Sequence, residues 1–169
     1  MGFETTAGRI WKKLPREDKK LAATAFLQEP PPELFAAALA AIIRVRRLRP
    51  QVARAMSDQA LADALATVLD PAEPLVSSLL IALHLGSRRP LLVAFLEALG
   101  LPHENGLLKE EADAFPVPTA EALRKAATSI APAFPREQIE VYFNTLVLQD
   151  PDRWQGLSGY EAWLTPQVG

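Results

Sequence analysis

Proline sets the frame of this chain. Pro15, Pro32, Pro50, Pro71, Pro90, Pro118, Pro135 and Pro151 follow one another mostly at intervals of 16 to 21 residues, with one longer gap. Proline fits the first turn of a helix, where its missing N–H removes no bond, and disrupts a helix interior. Each of these prolines is therefore expected to open an element, and each interval suits one helix and its connection. No run of β-branched residues with period-two alternation occurs, so strands have no sequence support. The chain reads as all-α, an irregular multi-helix bundle of about eight or nine short helices, with solenoid-like stacking as the alternative. Pro-Arg-Glu recurs at 15–17 and 135–137, but the residues after it do not align, and shared helix-start chemistry accounts for it.

The stretch between Pro32 and Pro50 is the most unusual. Residues 34–43 are ten consecutive apolar residues, five of them alanine, and Arg44, Arg46, Arg47 and Arg49 follow directly. This predicts a central helix, buried along most of its length, with a cationic C-terminal end. A second apolar stretch, 75–85, has no formal charge and must also be buried. Both are about half the roughly 20 residues that a membrane crossing needs. A membrane role is not expected, and no secretory leader is visible ahead of residue 34.

Other elements follow from local chemistry. A first helix is expected over residues 3–14, and Pro15-Arg16-Glu17-Asp18 restarts one with acids in its first turn, where the macrodipole favours them. Ser57 is a good N-cap for a helix whose stripe is Leu61, Leu65, Val68 and Leu69. Residues 75–101 read as a helical hairpin closed by Gly100, a left-handed cap, and Pro102. Residues 101–118 lack a periodic signal; Asn105-Gly106 is a turn pair within them. Thr119 caps a further helix, Pro135 opens the last long one, and Trp154, Tyr160 and Trp163 lie in the stretch that follows. The expected organisation is one helical domain over 1–149 and an aromatic tail, 150–169, docked on it or on a partner.

Charge narrows the functional classes. Residues 1–56 hold 11 Lys/Arg against 5 Asp/Glu, a balance of +6; residues 57–169 hold 7 against 15, a balance of −8. Such asymmetry means either an anionic partner for the first third or internal complementarity. Lys12, Lys13, Arg16, Lys19 and Lys20 recur at near-helical spacing and form a second basic group. Cysteine is absent, which removes disulfides, thiolate nucleophiles and cysteine-bound zinc and fits a cytoplasmic protein. No phosphate loop, zinc-protease motif, nucleophile elbow or calcium loop is present. No cofactor or metal is expected.

Three functional expectations follow. The first is a non-enzymatic helical module that binds another protein, including a second copy of itself, with Trp154, Tyr160 and Trp163 as partner contacts. The second is anion or nucleic-acid binding through Arg44, Arg46, Arg47, Arg49 and Arg54, because guanidinium groups grip phosphate and carboxylate bidentately. The aromatics that accompany single-strand binding are missing nearby, which places nucleic acid behind protein. The third is a metal or catalytic site in the polar loop carrying His103, Glu104 and Asn105. His84, on an apolar helix, reads as a core histidine.

Overall fold

A computed structural model describes residues 6–164. Among them the chain is predominantly helical, with one two-stranded hairpin of two residues per strand, so the all-α expectation holds. The chain divides into two compact units, one comprising Thr6–Ser87 and the other built from Arg88 onward.

The N-terminal unit contains α1 (Ala7–Lys13), α2 (Arg16–Gln28), α3 (Pro32–Arg46), α4 (Pro50–Arg54), α5 (Asp58–Leu65) and α6 (Glu73–Ser87). Thr6 and Ser57 cap α1 and α5, each accepting a backbone N–H of the first turn. The core lies along α6, whose Leu75, Val76, Leu79, Leu80 and Leu83 are wholly buried. Helices α1, α2 and α3 pack on it. Each such leucine contributes about 1.5–3 kcal/mol by leaving water. The approach of α2 to α6 needs glycine: a Cβ at Gly86 would stand 2.8 Å from that of Ala25.

Two expectations fail here. α3 is buried only at Ala38, Ala41 and Ile42, while Leu34, Phe35 and Leu39 are half-buried and Ala36 and Ala40 face solvent. An alanine-rich run is a strong helix former on every face, so its apolar length measures propensity as much as burial. The organising helix of this unit is α6. Likewise α5 ends at Leu65, and Leu69 is 69% exposed. Thr67 donates its hydroxyl to the Ala64 carbonyl at 2.6 Å, a side-chain bond that competes with helix continuation. Val68 stays buried, and its carbonyl accepts from Trp11 Nε1 at 2.9 Å.

The C-terminal unit contains α7 (Arg89–Leu99), β1 (His103–Glu104), β2 (Leu107–Leu108), a 3-10 turn (Glu110–Ala114), α8 (Ala120–Ile130), α9 (Arg136–Gln149), α10 (Pro151–Trp154), a second 3-10 turn (Gln155–Gly159) and α11 (Tyr160–Leu164). Gly100 takes the left-handed conformation, φ +70°, and Leu101 N–H reaches back to the Leu96 carbonyl at 3.1 Å. The hairpin expected over 75–101 is divided between the units: α6 packs with α1, α2 and α3, whereas α7 packs with α8 and the β-hairpin. Both arms are apolar enough to have a core of their own. An aromatic cluster fills the C-terminal unit, with Phe95 4.9 Å from Phe143 and 6.1 Å from Trp154 between ring centroids. No single helix among the described residues is long and apolar enough to cross a membrane.

Candidate functional site

The arginine cluster occupies the bend between α3 and α4. Arg44 and Arg46 lie in the last turn of α3, Arg47 caps it, Arg49 is the N-cap of α4 and Arg54 is its last residue. Pro50 forces this bend, because it opens α4 and restricts Arg49 to extended backbone, φ −75°, ψ 146°. All five arginines are solvent-exposed. Among the described residues none of them makes an ion pair or a side-chain hydrogen bond. Val45 and Val52, 45% and 50% exposed, stand between them.

The α3 cap itself is strained. Arg47 sits at φ +53°, ψ +47°, and Leu48 N–H bonds to the Ile43 carbonyl at 3.1 Å, the arrangement that Gly100 closes for α7. A non-glycine residue there costs about 1–2 kcal/mol through contact between Cβ and carbonyl. The chain thus carries an arginine where glycine is the unstrained choice.

The other basic group behaves differently. Lys12 pairs with Asp70 at 3.1 Å and Lys20 with Asp63 at 2.9 Å, and Lys19 lies 5.7 Å over the Trp11 ring. Glu73 accepts from the backbone N–H groups of Ala7 and Gly8 at 3.2 and 3.0 Å, so the positive end of α1 is also answered internally. Lys13 and Arg16 are exposed beside them.

The His103 loop is tied into its own unit. Asn105 and Gly106, at φ +51° and +93°, make the two-residue turn that pairs His103 with Leu108 and Glu104 with Leu107. His103 Nδ1 accepts from Gly106 N–H at 3.2 Å, which leaves the proton of the neutral ring on Nε2, 3.6 Å from Glu97 Oε1. Arg89 donates to the Asn105 carbonyl at 2.6 Å. Gly106 lies so close to α7 that a Cβ would meet that of Leu92 at 2.8 Å. These contacts use His103 and Asn105 to seat the hairpin on α7, and Glu104 remains exposed. Among the described residues no three His, Cys, Asp or Glu side chains are grouped to hold a metal ion.

The aromatic residues of the C-terminal stretch are core residues for the most part. Trp154 and Tyr160 are 2% and 3% exposed, Tyr160 is 5.4 Å edge-on from Phe143, and its hydroxyl accepts from Asn144 at 3.2 Å. Burial pushes the Tyr160 phenol up to about 12 and that of Tyr142 higher still. Trp163 is half-buried.

One segment of this unit leaves large apolar side chains in water. Leu107, Phe115 and Val117 are 49%, 47% and 52% exposed, and the free carboxylates of Glu104, Glu110 and Glu111 accompany them in sequence. A hollow of about 90 Å³ opens here, lined by Leu101, Ala112, Phe115, Pro116, Val117 and Pro118, with the Asp113–Arg153 ion pair at its polar side. The signal that could have exposed it is Phe115-Pro116-Val117-Pro118. Prolines at alternate positions deny this segment a helix, and therefore a periodic face along which its apolar side chains could be buried.

No protein-family model, curated protein or solved structure matches the chain.

Proposed function

We propose that this chain is a non-enzymatic helical binding protein, and that the bend carrying Arg44, Arg46, Arg47, Arg49 and Arg54 holds an anionic partner. One observation carries the reading: five guanidinium groups within eleven residues are exposed and make no ion pair among the described residues, in a chain whose net charge is −2. Carboxylates are plentiful enough to have neutralised them, as they neutralise Lys12 and Lys20. Cations near a helix C-terminus gain about 0.3–1 kcal/mol from the dipole, falling off within the last turn. That gain accounts for Arg44 and Arg46 but not for Arg49 and Arg54, which belong to the next helix.

The test is equilibrium binding of three labelled probes at about 50 mM salt, where screening is weak: duplex DNA, single-stranded RNA and poly-glutamate. At least one should bind, with affinity that falls as salt rises because counterions are released. Failure of all three to bind would overturn the proposal. So would binding that is unchanged when Arg46 and Arg49 are replaced by glutamate.

A further inference from the structure

We infer that the anionic partner of the arginine bend is a second copy of this chain, presenting the acidic, apolar surface of residues 104–117. The inference rests on the proposed binding role of the bend and names its occupant. Its starting point is where exposed apolar side chains occur. Eight large ones are exposed among the described residues, and five belong to two short segments: Val45 and Val52 in one, Leu107, Phe115 and Val117 in the other. Among the described residues, charges without an ion pair in these two segments balance to opposite signs. The first has its five arginines; the second has Glu104, Glu110 and Glu111 against Lys109.

A surface meant only for the phosphates of a nucleic acid has no use for exposed valines, and its stacking aromatics are absent here. Protein interfaces, by contrast, combine an apolar centre with arginine and a charged rim. Complementary charge then fixes register and speeds encounter more than it adds affinity. The hollow beside Phe115 and Val117, about 90 Å³, is smaller than the ~150 Å³ cavity that admits benzene. It suits one aliphatic side chain, and a valine of the bend is of that size. In such a contact Val45 or Val52 of one copy enters the hollow of the other, while the exposed glutamates of the same segment meet the arginines. The two faces are different patches, so two reciprocal contacts close a dimer and a non-reciprocal one extends a chain.

A charge swap tests this. One variant carries Arg46→Glu and Arg49→Glu; the other carries Glu110→Arg and Glu111→Arg. All four positions are exposed, and circular dichroism confirms that both variants fold. Sedimentation is followed at low salt up to about 1 mM protein, where weak interfaces are populated. The wild type should gain mass with concentration and lose it at about 0.5 M salt, where charges are screened. Each variant alone should associate at least tenfold more weakly, since the balance of the five bend positions falls from +5 to +1 in the first and that of Glu104, Glu110 and Glu111 turns from −3 to +1 in the second. An equal mixture of the two should recover association, because the unaltered arginine bend of the second variant meets the unaltered acidic segment of the first. A wild type that stays monomeric overturns the inference, as does association that the swaps leave unchanged. If that monomer still binds DNA or poly-glutamate through Arg46 and Arg49, the binding role of the bend survives without self-association. If it binds neither, both fall.

Discussion

Two segments with five cations each lie in the N-terminal unit, and they come to different ends. In the first, spanning Lys12 to Lys20, two lysines find aspartates from elsewhere in the unit, a third lies over Trp11, and Glu73 answers the N-terminus of α1. In the second, spanning Arg44 to Arg54, no arginine makes an ion pair among the described residues, and Val45 and Val52 are exposed among the cations. The difference teaches that local density of positive charge does not mark a site. What marks one is charge that the rest of the fold leaves unanswered. α1 and α2 pack against the core helix and α5, which bring Glu73 and Asp63 within reach; α4 packs against α3, whose only acidic residue is Glu33 at the far end.

Substitutions can break that contrast or sharpen it. The largest effect is expected from reversing Arg46, Arg47 and Arg49 together to glutamate. Affinity for whichever polyanion binds should fall about a hundredfold, since several counterion-releasing contacts go at once. The melting temperature should stay within a few degrees. A similar fall on reversing Lys12 and Lys20, read by the same titration, would erase the distinction between the segments.

Next in size is Glu73→Ala. Removing the carboxylate that accepts from Ala7 and Gly8 should cost about 1 kcal/mol of stability in urea denaturation, the usual magnitude for a lost helix cap. Polyanion binding should be untouched. Loss of binding here would make the paired segment part of the site.

Arg47→Gly separates strain from function. Relief of the left-handed strain, partly offset by the greater freedom of glycine in the unfolded chain, should stabilise by about 0.5–1 kcal/mol. Thermal melting would show this as a rise of roughly 1–4 °C for a chain of this size. Polyanion affinity should drop at the same time by a few-fold. A variant that is more stable and binds as well as the wild type would free Arg47 of any binding role.

The smallest effect belongs to Lys20→Ala. Its pair with Asp63 is about half exposed on both sides, and such surface bridges contribute about 0–1 kcal/mol. Urea denaturation should detect a loss near the lower end of that range.

Much of the fold was legible in the residues. The prolines marked the starts of α3, α4 and α10 at Pro32, Pro50 and Pro151, and Thr119, Ser57 and Gly100 took the capping positions their chemistry favours. The β-hairpin at 103–108 was not legible as strands, because four residues are too few for alternation to register; only its Asn-Gly turn could be seen. The candidate site was half legible. The arginines stood out in the sequence, whereas Trp154 and Tyr160, equally conspicuous, are core residues of their unit.

Sequence alone determined where most helices start, because capping, proline geometry and helix propensity act within a few residues of where they are written. It also determined that five arginines crowd one bend around Pro50. Only the tertiary structure decided that α6, rather than the longer apolar run of α3, forms the core. Burial depends on which faces meet, and an alanine run offers a helix without saying which side is covered. Only the tertiary structure decided, too, which cations were answered. Ion pairing is settled by through-space reach of a few ångströms, and Lys20 meets Asp63 across 43 positions of sequence, while among the described residues the arginines from Arg44 to Arg54 make no ion pair.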